Sequence, residues 1–192
     1  MKRSMLYGAL AAALLGFSMT ASADFSGYYA PAQWVVGHAP DNLTDFGSVD
    51  TTGAPGSITL IGSDNNPVDF TFSRVDFSIV APAAGSFSFD WAYTSTDSFG
   101  AIYDPAGYLK NGQFQLTDDV GADSQSGQVS LLVAAGDVIG FHVTTLDNYG
   151  GSASLTISNF SAPVPEPASV AMMTLGLLGL VGVAAARRRR LP

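Results

Sequence analysis

The central residues predict an all-β domain, an antiparallel β-sandwich of jelly-roll type. Three observations predict it. Apolar residues recur at every second position over short runs, as one buried face of a strand requires. Gly, Asp, Asn and Pro separate the runs, and no run shows convincing helical periodicity. The stretch 24–163 spans 140 residues, enough to bury a core without cysteine, of which the chain has none. About eight short strands in that length fit a sandwich, with a closed barrel as the alternative.

The elements follow in chain order. Lys2 and Arg3 precede an apolar run, Met5 to Phe17, and then Ala21-Ser22-Ala23, the small-x-small pattern of a signal-peptide cleavage site. The expected domains are therefore a signal peptide over 1–23, a mature domain over 24–163 beginning at Asp24, and a tail over 164–192. An uncleaved anchor is the alternative for the first segment. Gln33 to Val36 and Ser57 to Ile61 are weak strand candidates. Val68, Phe70 and Phe72 alternate, and Val75, Phe77 and Ile79 alternate on the opposite parity, so a bulge or tight turn is expected near Ser73-Arg74. Phe87, Phe89, Trp91 and Tyr93 form the strongest run, which assigns Trp91 to the core. Lys110-Asn111-Gly112-Gln113 places Asn-Gly at a two-residue hairpin turn. Val129, Leu131 and Val133, then Ile139, Phe141 and Val143, then Leu155 and Ile157 complete the strands. Ser161 to Val164 reads as the linker to the tail.

Charge narrows the function. Residues 24–163 hold 15 aspartates against Arg74 and Lys110, a formal charge of −13. Such a surface repels nucleic acid and anionic lipid and attracts cations. The lack of cysteine removes disulfides, thiolate metal sites and thiol nucleophiles. Two histidines exist, His38 in a loop and His142 in a strand, where it alternates with Ile139, Phe141 and Val143 and is expected to face solvent. No nucleophile elbow is present, and a glycosidase pair would have to be two aspartates, since the domain has no glutamate. The domain therefore reads as non-catalytic.

Calcium is the cofactor this composition allows, because it takes carboxylate and carbonyl oxygens from loops. Asp118, Asp119 and Asp123 form the first candidate metal site. Asp97 and Asp104 form a separate cluster, and Asp64 and Asp69 flank Asn65-Asn66. The alternative is that these aspartates cap turns and keep the chain soluble. Sugar binding would need exposed aromatics, for which Trp34 and Tyr108 are put forward, with Tyr28, Tyr29, Tyr103 and Tyr149 as further candidates. Exposed aromatics in a row would favour binding of a sugar such as exopolysaccharide. A flat Ser/Thr/Asp sheet face would favour a structural role.

The tail is the most specific part. Ala168 to Ala186 carries no charge over 19 residues. As a helix it would be ~28 Å long, against a hydrocarbon core of ~30 Å. Arg187, Arg188, Arg189 and Arg190 follow and hold that end in the cytoplasm. Before it, Pro165-Glu166-Pro167 gives an extended approach and a helix start, with the only glutamate of the chain at the positive end of the helix dipole. Together these residues resemble the PEP-CTERM sorting signal, over Val164 to Pro192, about 15% of the chain. The resemblance implies an exosortase, a membrane-embedded cysteine transpeptidase, as partner. It would recognise Pro165, Glu166 and Pro167, cut nearby and release the protein to the surface or extracellular matrix of a Gram-negative bacterium. The membrane helix would then be a transient anchor. Phe87 to Pro163 also resembles a recurring ectodomain of PEP-CTERM proteins, through Ser88-Phe89-Asp90-Trp91-Ala92-Tyr93, Asp104-Pro105-Ala106-Gly107-Tyr108, Ala135-Gly136-Asp137-Val138-Ile139-Gly140-Phe141 and Ile157-Ser158-Asn159-Phe160-Ser161. That ectodomain brings no catalytic residues.

Overall fold

Period-two patterning becomes two sheets in the computed structural model, which describes residues 22–39, 47–65, 72–165, 175, 176 and 178–180. The strands are β1 (Ser22–Ala23), β2 (Val35–Ala39), β3 (Ser48–Asp50), β4 (Ser57–Ile61), β5 (Ser73–Val80), β6 (Gly85–Ser95), β7 (Ala106–Lys110), β8 (Gln113–Gln115), β9 (Ser124–Val133), β10 (Val138–Thr145) and β11 (Ala153–Pro163). One sheet has the order β3-β4-β11-β6-β9, with β1 added to the far part of β11; the other runs β2-β5-β10-β7-β8. Every pairing is antiparallel. The fold is a two-sheet antiparallel β-sandwich.

The inner faces are the apolar parities of the sequence. Val75, Phe77 and Ile79 from β5 and Ile139, Phe141 and Val143 from β10 meet Phe87, Phe89, Leu155 and Ile157 from the other sheet in one core. Phe141 lies edge-on to Phe89, with ring centroids 5.0 Å apart. Truncating such a ring to alanine costs about 3–5 kcal/mol, so this pair fixes how the sheets face each other. The Asn-Gly hairpin forms as expected. Gly107 pairs with Gln115 and Leu109 with Gln113. Asn111 takes a φ of 54°, the left-handed region that asparagine tolerates.

Three expectations change. Ser161 to Pro163 are strand, not linker. Asn159, at a φ of 47°, makes a bulge against β6 that shifts the register between Ser158 and Ser161. The extra residue flips the parity, so Phe160 and Ala162 now face inward as Leu155 and Ile157 do before it. Trp91 is only half buried. Its indole covers Gly127 on the neighbouring edge strand, where an added Cβ would sit 2.9 Å from the ring nitrogen. His142 is buried rather than solvent-facing. The row across its sheet runs Gly37, Asp76, His142, Gly107 and Gln115. Gly107 leaves room for the imidazole beside β8, since an added Cβ there would collide with the ring and with the Phe114 carbonyl.

Val68, Phe70, Asn66, Asp69, Glu166, Pro167, Ala21 and Arg187 to Arg190 fall outside the described residues. So does most of Ala168 to Ala186, of which 175, 176 and 178–180 are helical. Among the described residues, no helix is long and apolar enough to cross a membrane.

Candidate functional site at the loop end

Two loops are zipped together beyond the ends of β6 and β10. Thr96 N–H donates to the Ser152 carbonyl at 3.0 Å and Ser98 N–H to the Gly150 carbonyl at 3.1 Å. Leu146 N–H donates to the Tyr103 carbonyl at 2.7 Å. Gly151 is required at this seam: its φ is 137°, and a Cβ there would meet the Thr96 carbonyl carbon at 2.5 Å.

Each loop carries the same three-residue device. Asp97-Ser98-Phe99 and Asp147-Asn148-Tyr149 both read Asp-x-aromatic. Phe99 N–H donates to Asp97 Oδ1 at 2.5 Å, and Tyr149 N–H donates to Asp147 Oδ1 at 3.2 Å. This Asx turn points the aspartate inward and leaves the aromatic outside. Phe99 is 56% exposed, Tyr103 37% and Tyr149 37%. Their rings form one patch, with Phe99 5.8 Å from Tyr103 and 6.3 Å from Tyr149 between centroids. Ile102 and Leu146 are exposed in the same loops.

Beneath the patch the polar groups are buried. Asp97 is 5% exposed, Asp104 0%, Asp147 4% and Asn148 1%. Ser95 ties the first two together, since its hydroxyl accepts from Asp97 N–H at 3.0 Å and donates to Asp104 Oδ2 at 3.2 Å. Tyr93 donates its hydroxyl to the Asp104 carbonyl at 2.9 Å. Burial pushes the Asp104 carboxyl up to about 7, aided by the charges of Asp97 and Asp147 and opposed by hydrogen bonds from Thr145 and Ser95. Burial raises Asp97 as well, with Asp147 and Asp64 adding to it and the Phe99 N–H opposing it.

The residues chosen from the sequence are dispersed. Trp34 is 7% exposed and stacks on Phe77 with centroids 4.7 Å apart, so it is core and no sugar platform. Tyr29 is core too. Tyr108 is half buried, packed edge-on against Phe89 and stacked on Phe114. Asp118, Asp119 and Asp123 are exposed and do not converge as a metal group. Asp118 caps Val120 N–H at 3.1 Å, and Asp119 accepts from the Gln115 amide. Ala23 and Asp24 lie where β1 leaves the sheet, and Pro165 is exposed just beyond β11. Phe99, Asp147 and Asn148 were missed, although the repeated Asp-x-aromatic spacing was available as a signal.

On the outer face of β10, both ring nitrogens of His142 are buried without a well-formed hydrogen bond, and the Phe114 carbonyl lies beside the ring. Burial pushes it down to about 4, against the pull of Asp76; Arg74 lowers it further and the Phe114 carbonyl opposes. Arg74 Nε donates to Asp76 Oδ1 at 2.9 Å beside it.

Comparison with known proteins bears on the tail. Residues 163–190 match the PEP-CTERM protein-sorting motif. The tail thus carries the sorting signal of an exported protein destined for the cell surface. No curated protein matches the chain. Among solved structures, the chain is similar to a family 35 carbohydrate-binding module from Clostridium thermocellum, at 12% identity over 66% of this chain and 92% of that one, with a TM-score of 0.33. It is similar also to a family 11 carbohydrate-binding module of a cellulosomal cellulase of Clostridium thermocellum, at 9% identity over 70% and 89%, with a TM-score of 0.36. A third is the C-terminal family 6 module of a marine laminarinase from Zobellia galactanivorans, at 12% identity over 66% and 99%, with a TM-score of 0.29. The sandwich itself is read from this chain's own strands.

Proposed function

We propose that this chain is a non-catalytic surface or matrix protein of a Gram-negative bacterium, held briefly in the inner membrane by its C-terminal helix and released by an exosortase. The PEP-CTERM match over residues 163–190 carries this reading. Cleavage after Ala23 would remove β1 and leave Asp24 as the new N-terminus. Phe25 would stay seated in the core, stacked on Phe160 with centroids 4.3 Å apart. At the other end, Val164 is partly buried against the core and Pro165 is exposed, so the recognition motif starts where the sandwich stops. Replacing Pro165, Glu166 and Pro167 together by alanine in the native host should leave the protein in the membrane fraction. Release of the triple variant to the surface or medium at the wild-type level would refute the role of the motif.

A second reading gives the domain a ligand, a polysaccharide of the surrounding matrix. The exposed Phe99, Tyr103 and Tyr149 patch favours it, because sugar rings present C–H faces that pack on aromatic planes. Nothing in the domain's charge of −13 favours nucleic acid. The outer face of the β6 sheet is by contrast a plain polar surface of Ser88, Asp90, Thr156 and Thr59, the last two joined by a hydroxyl contact of 3.0 Å. On a glycan array, Phe99→Ala and Tyr103→Ala should each weaken binding about tenfold or more, equivalent to ~1.4 kcal/mol. Wild-type protein that binds no glycan on the array, or variants that bind as well as it does, would remove this reading.

A further inference from the structure

The sandwich has two unlike poles, and the chain enters and leaves it at the same one. Ser22 pairs with Pro163 and Ala23 with Ala162, so β1 lies beside the end of β11. The buried Tyr29 hydroxyl donates to the Pro163 carbonyl at 2.8 Å and pins that end. Folded structure therefore runs up to the sorting motif, with Val164 partly buried and Pro165 exposed. β6 starts at this pole, where Gly85 pairs with Val133, and its 11 residues carry it ~33 Å to Ser95 and the loop end.

The loops of the exit pole are short and apolar. Ala81-Pro82-Ala83-Ala84 joins β5 to β6, and Ala134-Ala135-Gly136-Asp137 joins β9 to β10. Ala81 N–H donates to the Asp137 carbonyl and Gly136 N–H to the Ala81 carbonyl, both at 2.8 Å, so the two loops are zipped together. Leu132, next to the last residue of β9, is 75% exposed. Val80 and Val138 are register partners in the other sheet, and both are exposed. The exposed Tyr28 reaches the same strand end, where its hydroxyl donates to the Val80 carbonyl at 3.1 Å.

Charge separates the poles as well. The loop end holds Asp97, Asp104, Asp118, Asp119, Asp123 and Asp147. Among the described residues, the charged side chains near the exit are Asp24, Asp137 and Lys110, which faces Asp137. Cleavage after Ala23 would give Asp24 an adjacent α-amino charge. A domain of formal charge −13 thus keeps one end close to neutral. An exposed apolar rim in such a place marks a contact surface. Chain length says what that surface meets. Ala168, where the uncharged stretch starts, is five residues past Pro163, at most ~18 Å of extended chain. The headgroup layer of a bilayer takes roughly 5–8 Å of that.

We propose that the exit pole rests on the lipid headgroups of the membrane that holds the C-terminal stretch, with Tyr28, Val80, Leu132 and Val138 as contact residues. The inference rests on the reading of Ala168 to Ala186 as a membrane helix. A tyrosine and aliphatic side chains suit the interface, where the ring is apolar and its hydroxyl stays wet. Lipid without net charge suits it best, because anionic headgroups repel the acidic domain behind the rim. In this pose the Phe99, Tyr103 and Tyr149 patch faces away from the membrane. Pro165 then lies close to the headgroups, within reach of a membrane-embedded enzyme.

The test reconstitutes the full chain at low density in phosphatidylcholine vesicles. The chain has no cysteine, so Leu132→Cys, Val138→Cys and Phe99→Cys each create one site for a fluorescent label. Labels at positions 132 and 138 should lose quenching by acrylamide in the water and gain quenching by lipids brominated near the headgroup. The label at position 99 should do neither. Flotation of the vesicles after a carbonate wash reads the anchor separately. Protein that floats while all three labels are equally wet overturns the docking and leaves the anchor standing. Protein that does not float overturns the membrane helix, and the docking with it. Drying that grows with the protein-to-lipid ratio marks contact between copies, and drying only beside the host's exosortase marks a protein surface; either overturns the lipid. Stronger headgroup quenching on adding phosphatidylglycerol overturns the preference for lipid without net charge.

Discussion

Two groups of aspartates lie side by side in this sandwich and share a neighbour. Ser95 donates its N–H to the Asp123 carbonyl at 2.8 Å and its hydroxyl to Asp104 at 3.2 Å. On one side, Asp118, Asp119 and Asp123 stand in water, and Asp118 caps a turn. On the other, Asp97, Asp104 and Asp147 are buried, and Asp97 and Asp104 each keep one oxygen without a partner. The residue type is the same, and local density in sequence is higher in the exposed group. Chemistry follows burial instead. An exposed carboxylate is satisfied by water and screened, whereas a buried one must be answered by something.

The largest difference should appear on truncation. Asp104→Ala removes the acceptor of Ser95 and Thr145 in a buried network, and should cost about 3–5 kcal/mol in urea denaturation. Asp119→Ala should stay within ~0.5 kcal/mol. Equal losses would erase the contrast.

A buried group of the other sign gives the next effect. His142 sits among Asp76 and Arg74 of β5, Gly107 of β7 and the Phe114 carbonyl of β8. Its folded value of about 4 lies below the ordinary 6.5. Between those values the unfolded chain takes up a proton that the folded chain refuses. The stability from neutral His142 is thus full above pH ~6.5 and is lost as pH falls through ~4, by up to about 3 kcal/mol. Asp104 titrates in the opposite sense over part of this range, so wild type should be compared with His142→Gln at each pH. A gap between the two that does not change with pH would show that the ring is protonated or solvated in the fold.

The smallest effect belongs to the patch. Phe99→Ala and Tyr103→Ala should lower stability by less than ~1 kcal/mol, because their rings are already wet. A loss of several kcal/mol would mean that the rings support the buried aspartates below them.

Much of the sandwich was legible. Phe87, Phe89 and Tyr93, Phe141 and Val143, and the Asn111-Gly112 turn all follow from period two and turn chemistry. Trp34 was not, because one aromatic beside a strand reads the same whether it faces out or folds back onto Phe77. His142 failed because alternation names a face, and the outer face is wet only if nothing covers it; Gly107 lets β8 come close. Of the site, Asp97 and Asp104 were visible as a pair and Tyr103 and Tyr149 as candidate platforms. Their meeting with Asp147, Asn148 and Phe99 joins loops about fifty residues apart.

The sequence by itself determined the sorting signal, since the PEP-CTERM motif is a contiguous run whose meaning lies in local order: prolines, an apolar stretch, arginines. It also determined the strands, because alternation is local. Only the tertiary structure decided which aspartates matter. Burial is a property of what packs above a residue, and the two Asp-x-aromatic turns become one site only when β6 and β10 bring their ends together.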